Sequence, residues 1–164
     1  MKTYIISILV ADEPGVLSKL SGLFLRRGFN IDTIAVGSTE KKGFSRIIIS
    51  LHCDEKTIYQ LEKQLTKSLD VVGVSDLSEK TILRELCLIK LKTETEEQKE
   101  QIKKELNHFG AKIIDTNKDY IIVQITDTPD KIKQLIDVLS DCKIVKITRS
   151  GTIAIKDTKN NNSV

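Results

Sequence analysis

The chain has 164 residues, of which 40% are hydrophobic and 30% charged, a composition typical of a globular protein of one domain or two small ones. Its 26 basic and 23 acidic residues give a net charge of +3 and are interleaved along the chain, so no nucleic-acid-binding surface is indicated. The four Phe, three Tyr and no Trp predict an aliphatic core. No secretory signal and no apolar run long enough to span a membrane is visible, so no membrane partner is expected.

The first half of the chain alternates strand and helix signals. A β-branched run over residues 3–10 predicts a strand, and a helical period then begins. The apolar residues of that helix recur on one face: Val16, Leu20, Leu23 and Phe24. Pro14 is expected in its first turn and Gly28 just past its end. Three strands and a second helix follow: strand 30–36, strand 44–53, a helix around 58–65 and strand 70–77.

The same order repeats in the second half. The predicted elements begin with strand 86–93, a helix through 102–109 that ends at Gly110, and strands 111–116 and 120–126 joined by a turn. Helix 128–141 follows, with Thr128 as N-cap and Pro129 as its first residue. The last element is strand 142–151, extended by 152–157. The charged stretch "TETEEQKEQIKKE" is interpreted as a solvated helix face with i,i+4 ion pairs. Two β-α-β-β-α-β units predict an α+β protein of two ferredoxin-like domains, at 1–77 and 83–157, with a disordered tail at 158–164.

The sequence contains no recognisable catalytic or metal-binding set. Cys53, Cys87 and Cys142 are far apart and each lies in an apolar run, so we interpret them as buried, reduced thiols. His52 and Cys53 would point to opposite faces of a strand, which argues against a shared metal. No nucleophile–base set or carboxylate pair has a plausible spacing, so no catalytic residue and no metal site is predicted.

The first strand is apolar on both faces. In "YIISILV" both alternating sets contain Ile, Leu or Val. Because helices cover only one face of such a sheet, the other face needs a second cover, which is another unit of the chain or a second copy. The pattern therefore motivates a homodimer.

The stretch "ADEPGVL" is the candidate ligand site. The first N–H groups of a helix have no intrahelical partner, and Gly15 leaves them accessible to a carboxylate or phosphate. Asp12 would attract an ammonium group, and Val16 and Leu17 would contact an apolar side chain, so the set suggests a zwitterionic amino acid. The alternative is a well-capped turn that binds nothing, and Asn30 would equally serve as a cap for the turn at the far end of the helix.

A family resemblance bears on this choice. "EPGVLSKLSGLFLRRGFNIDTIAV" resembles the ACT domain that opens the small regulatory subunit of acetolactate synthase. "SR" in the third strand, "RELCLIKLK", "FGAKIID" and "ITRSG" also resemble that family, in its order, to about Lys156. The resemblance implies a non-catalytic subunit that activates a catalytic subunit and confers feedback inhibition by valine or another branched-chain amino acid. Thiamine diphosphate, Mg and FAD are expected in that catalytic subunit, and no cofactor is expected in this chain.

The resemblance also implies where the effector binds, between two N-terminal ACT domains of a homodimer. One chain would contribute Asp12 and the helix-start amides of Gly15 and Val16, and the partner chain Asn30 and Ile31. The family often has Asn where this chain has Asp12, so the identity of the effector stays open.

The sequence allows two rival functions. A free-standing tandem ACT sensor would act on another enzyme or on transcription, although "RRGFNID" and the second half favour the regulatory subunit. An RNA-binding sheet would share the ferredoxin-like order but lacks the exposed aromatic strand motif. The expected compartment is the cytoplasm of a bacterium, or the plastid stroma if the chain is plastid-encoded.

Overall fold

The structure, a computed structural model, describes residues 2–158. The predicted tail at 158–164 therefore lies, apart from Thr158, outside the described residues. The described chain divides into two compact units, one of residues 2–82 with 152–158 and the other of residues 83–151. This division groups residues 152–158 with the first unit, whereas the sequence had grouped them with the second half.

The first unit has the predicted β-α-β-β-α-β order. Its elements are β1 (Lys2–Ala11), α1 (Val16–Arg27), β2 (Thr33–Ser38), β3 (Phe44–Cys53), α2 (Glu55–Leu65) and β4 (Val71–Asp76). The strands form one antiparallel sheet in the order β2-β3-β1-β4, so β2 and β4 are its edges. Alternate residues of β1, namely Ile6, Ile8 and Val10, pack with Leu20 and Phe24 of α1 in an aliphatic core.

The second unit repeats this arrangement. Its elements are β5 (Thr81–Lys92), α3 (Glu96–Phe109), β6 (Lys112–Thr116), β7 (Tyr120–Asp127), α4 (Pro129–Val138) and β8 (Lys143–Arg149). The sheet order is β6-β7-β5-β8. A further strand, β9 (Ile153–Lys156), also pairs with β5, whose first two residues, like β9, belong to the first unit. Ile89 and Leu91 of β5 are fully buried under α3 and α4. The predicted fold class, two ferredoxin-like units of an α+β protein, is thereby confirmed.

Several predicted helix ends are confirmed. Thr128 caps α4 by accepting a hydrogen bond from the amide of Lys131 at 3.4 Å, and Pro129 is the first residue of that helix. Gly28 and Gly110 end α1 and α3 with φ of 68°. A glycine is favoured at these positions because side chains with a β-carbon rarely adopt the left-handed conformation.

Four boundaries differ from the sequence prediction. β5 begins at Thr81 rather than at residue 86, because the chain is already extended and strand-paired from that residue. β2 begins at Thr33 rather than at residue 30, because the left-handed turn at Gly28 is followed by a loop over 29–32 before pairing with β3 starts. The last turn of α4 tightens into a 3-10 turn at Leu139–Asp141. β9 is a separate strand, since the positive φ of Gly151 interrupts the expected continuation of β8.

The charged face of α3 also differs in detail. Its ion pairs join Lys99 to Glu96 and Lys103 to Glu100, so their spacing is i,i+3 and not the predicted i,i+4. The side chain of Lys99 is only 10% exposed. Its ammonium group lies 2.6 Å from Glu96 Oε1 while most of the side chain is buried, so this face is not solvated throughout.

Candidate functional site

The candidate loop is a tight turn that leads into α1. Gly15 has φ 88° and ψ −9°, and the amide of Val16 donates to the carbonyl of Glu13 at 3.4 Å. With Pro14 and Gly15 as its central residues this is a type II turn, which requires a positive φ at its third position. Gly15 is therefore the N-cap, and the predicted place of Pro14 within the first helical turn is wrong.

The N-terminus of α1 lacks a side-chain cap. The other three α-helices each begin with a side chain that accepts a backbone hydrogen bond: Asp54, Thr95 and Thr128. At α1, Lys19 donates the first helical hydrogen bond, to Gly15, and the amides of Leu17 and Ser18 find no acceptor in the described chain. A β-carbon at Gly15 would meet no atom within 4 Å. Leu17 and Ser18 are themselves exposed, so these two unpartnered amides at a helix start suit a carboxylate.

The free amide donors therefore belong to residues further into α1 than the sequence indicated. We expected the amides of Gly15 and Val16 to bind the ligand, but the Val16 amide closes the turn. The side chain of Val16 is also unavailable, since it is 4% exposed and packs in the core. Leu17, at 46% exposed, is the apolar side chain that a ligand at this helix end would contact.

Asp12 is held at the mouth of the loop. Its amide donates to the carbonyl of Gly43 at 2.9 Å, and its Oδ1 accepts a hydrogen bond from Ser45 Oγ at 3.1 Å. Within the described residues its Oδ2 has no hydrogen-bond partner and the side chain is exposed. The carboxylate is therefore oriented by Ser45 and still able to receive an ammonium group. Sequence reasoning missed Ser45, although it belongs to the quoted "SR" pair.

Asn30 and Ile31 lie beyond the opposite end of α1. The amides of Gly28 and Phe29 close that end by donating to Leu25 and Phe24. Asn30 is exposed and its side chain makes no hydrogen bond within the described chain, so the capping role considered for it is not observed. Ile31 is half-buried against the core of the unit.

One chain does not bring all the predicted residues together. Asp12, Gly15 and Val16 stand at the start of α1, while Asn30 and Ile31 follow its end. A helix of 12 residues is about 18 Å long. An amino acid is far smaller than this distance, so the two groups form a single site only if one of them comes from a second copy.

Asn30 and Ile31 are followed in the chain by the edge strand β2. It exposes Ile34 at 40% and Val36 at 53%, and its outer backbone groups are unpaired because β2 ends the sheet. Such an apolar edge favours strand pairing with another chain. Sequence reasoning did not single it out, because the order of strands in a sheet cannot be inferred from the spacing of apolar residues.

The described chain shows neither an activated thiol nor a metal-binding cluster. Burial raises the pKa of the Cys53, Cys87 and Cys142 thiols, which disfavours the reactive thiolate. Over residues 2–158, no group of three or more His, Cys, Asp or Glu is arranged to hold a metal ion. The helices of the same residues include none that is long and apolar enough to cross a membrane.

One buried ion pair has a structural role. Glu85 is 1% exposed, and Arg149 binds both of its carboxylate oxygens, at 2.5 and 2.7 Å. Hydrogen bonding to Glu85 raises the pKa of Arg149 further. The ion pair joins β5 to β8. The arginine of "ITRSG" therefore has a structural role that requires no ligand.

Comparison with known proteins covers both units. Residues 6–73 match the family described as the AHAS small subunit-like ACT domain, and residues 84–158 match the small subunit of acetolactate synthase. A probable acetolactate synthase small subunit of Archaeoglobus fulgidus is 38% identical over 92% of this chain and 94% of its own. The acetolactate synthase small subunit of Bacillus subtilis is 40% identical over 92% of this chain and 88% of its own.

A solved structure extends the similarity to three dimensions. The acetolactate synthase small subunit of Thermotoga maritima superposes with a TM-score of 0.88 at 38% identity, covering 96% of this chain and 98% of that one. The similarity therefore includes both units and is not confined to the first.

Proposed function

Because the chain belongs to the family of acetolactate synthase small subunits, we propose that it activates a catalytic acetolactate synthase subunit and makes that subunit sensitive to a branched-chain amino acid. It is a regulatory subunit without catalytic residues of its own. The expected effector is valine. The catalytic partner would carry thiamine diphosphate, Mg and FAD. The expected location of the chain is that of its catalytic partner, which is the cytoplasm of a bacterium or the plastid stroma.

The observation that carries the proposal is the uncapped start of α1. The free amides of Leu17 and Ser18 suit the effector carboxylate, and the exposed oxygen of Asp12 suits its ammonium group. Leu17 offers apolar contact to a branched side chain. Together they provide one complementary group for each part of a valine molecule.

A homodimer would complete the site through β2. Ser38, at the end of β2, is paired with Ser45, which is paired with Val10 of β1, so the candidate loop lies at this same end of the sheet. Asn30 lies at the other end of β2. If two copies joined their β2 strands antiparallel about a two-fold axis, Asn30 of each would approach the loop of its partner. The exposed Ile34 and Val36 would be covered in that dimer.

Reconstitution tests the proposal. The purified chain is mixed with the purified catalytic subunit from the same source, with thiamine diphosphate, Mg²⁺ and FAD, and acetolactate formation from pyruvate is followed. We expect no product from the chain alone, a higher rate in the mixture, and inhibition of the mixture by valine. The heat-denatured chain is the control. An unchanged rate in the mixture would overturn the proposal and favour the tandem-sensor alternative.

A further inference from the structure

We infer that the face of the second sheet opposite its helices binds an acidic surface of a partner protein, which under the proposed function is the catalytic subunit. We call this surface the basic face and define it by its lysines and its one tyrosine: Lys90, Lys92, Lys112, Lys143, Lys146 and Tyr120. In β5, Ile89 and Leu91 are buried under the helices, so Lys90 between them and Lys92 after Leu91 point to the other side.

Four of the five lysines of the basic face are paired with each other across two strands. Lys90 of β5 lies directly opposite Lys146 of β8, and Lys92 lies directly opposite Lys143. Like charges in this position repel each other and weaken a sheet. In the described chain no carboxylate makes an ion pair with Lys143 or Lys146, and Lys92 reaches Glu94 only at 3.9 Å.

Protection of a sheet edge does not explain this pattern. Lysines on edge strands such as β8 commonly prevent aggregation. β5, however, is an interior strand that lies between β7 and β8, where no such protection is needed. Lysines on an interior strand that face the lysines of its neighbour fit a surface whose countercharges come from another molecule.

The composition of the face favours a protein over a nucleic acid. The ring of Tyr120 is covered by the ammonium group of Lys90, which lies 4.5 Å from its centroid, so it is not open for base stacking. Leu88 and Ile122, half-buried on the same face, together with Leu86 at 37% exposed, offer aliphatic contacts. One exposed carboxylate, Asp115 of β6, lies opposite Ile122 on this face, so the five lysines still leave it strongly basic. Aliphatic residues among an excess of lysines suit a protein surface that carries Asp and Glu.

The test compares charge reversals on the two faces of the second unit. In the full chain, Lys90→Glu with Lys146→Glu replaces one like-charge pair by another, so the repulsion within the sheet is kept while the charge of the face is reversed. The control, Lys104→Glu with Lys133→Glu, makes the same change of charge on exposed residues of α3 and α4. Affinity for the purified catalytic subunit is measured at 50 and 300 mM KCl. We expect binding at least tenfold weaker for the first double variant, within twofold of wild type for the control, and weaker for wild type at high salt.

A single substitution separates binding from folding. Lys146→Glu creates an opposite-charge pair with Lys90, so it should raise the Tm of the chain and still weaken binding. Equal binding by wild type and the reversed variants would overturn this inference alone. If the reversed variants lose binding to a 12-nucleotide single-stranded RNA while their affinity for the catalytic subunit is unchanged, the basic face binds nucleic acid and the inference is overturned. If the wild-type chain does not bind the catalytic subunit at all, the inference and the proposed function both fail.

Discussion

At the scale of single residues, Gly15 combines two properties that a substitution must separate. Its φ of 88° belongs to the left-handed region, so any side chain there carries a backbone cost of about 1 kcal/mol. A β-carbon there would meet no atom within 4 Å, and under the proposed function this open space admits a ligand to the start of α1. A change at Gly15 alters stability and ligand access together unless the control carries the same backbone cost.

The pair Gly15→Asp and Gly15→Asn meets this requirement, because the two side chains have nearly the same shape and both tolerate left-handed backbone. A carboxylate about 5 Å from that of the effector repels it by about 3 kcal/mol at an effective dielectric of 20, and less after screening. We expect Gly15→Asp to weaken valine inhibition of the reconstituted enzyme about tenfold to a hundredfold more than Gly15→Asn does.

Activation by both Gly15 variants should persist, and both should lose similar stability in urea. Valine titrations of the reconstituted enzyme and urea unfolding curves provide the two measurements. Equal inhibition curves for the Asp and Asn variants would mean that the turn binds no carboxylate.

The residues of the site were only partly predictable. The sequence indicates a helix start at "EPGV" because Pro and Gly mark turns, but it does not say whether Pro14 precedes the helix or begins it. That depends on the turn type, which the positive φ of Gly15 decides. Val16 and Leu17 are both apolar, so the sequence does not distinguish their roles. In the structure Val16 packs with Leu20 and Phe24 in the core, whereas Leu17 lies at the surface.

At the scale of secondary-structure elements, the two edges of the first sheet provide a matched comparison. Val36 on β2 and Val72 on β4 are each 53% exposed. If two copies join through β2, a charge at Val36 is buried in the interface without a partner, and a charge at Val72 stays in water. We expect Val36→Lys to dissociate the dimer at micromolar concentration and Val72→Lys to leave it intact.

Sedimentation velocity of the two edge variants measures this difference, and circular dichroism checks that both are folded. Dissociation by Val72→Lys alone would place the interface at β4. A wild-type chain that stays monomeric with and without valine would contradict a site shared between copies.

The start of α2 predicts a pH-dependent contribution to stability. Hydrogen bonding from the amide of Thr57, at 2.7 Å, lowers the pKa of the Asp54 carboxyl. A carboxyl whose pKa is lower in the folded state stabilises the fold at pH above its unfolded value of about 3.9, and this stabilisation is lost as the pH falls through the folded value. Asn caps a helix comparably but does not titrate in this range.

We therefore expect the urea midpoint of wild type to exceed that of Asp54→Asn by more at pH 7 than at pH 2.5. Other carboxyl groups titrate equally in both proteins, so the difference between the two midpoints isolates Asp54. A difference that does not change with pH would show that the cap acts without its charge.

The elements themselves were more predictable than the residues of the site. Apolar periodicity and the glycine caps place all four α-helices and the strands β1 to β8, because each pattern depends on local burial. The start of β2 was predicted three residues too early, since Ile31 is apolar and packs on the core from a loop. The separation of β9 from β8 depends on the left-handed backbone of Gly151, which the composition of that stretch does not reveal.

At the scale of the whole molecule, mixing two variants tests whether the site is shared between copies. The two ends of α1 are too far apart to bind one amino acid within a single chain. If the site combines the loop of one copy with Asn30 of the other, then Gly15→Asp and Asn30→Ala each inactivate both sites of their own homodimer. In a heterodimer of the two variants, one site receives both defects. The other combines an intact loop with an intact Asn30. A site contained in one chain would give no such intact combination.

We therefore expect the mixture to recover valine binding that neither variant has alone. Random exchange makes half of the dimers mixed, each with one intact site, so about a quarter of all sites should bind with wild-type affinity. Titration calorimetry after subunit exchange measures that fraction. Two loop variants, Gly15→Asp mixed with Asp12→Ala, serve as the control, because their heterodimer has a defective loop in both sites and should recover nothing. If the first mixture binds no more valine than its components do separately, the effector is not held between the loop of one copy and Asn30 of the other.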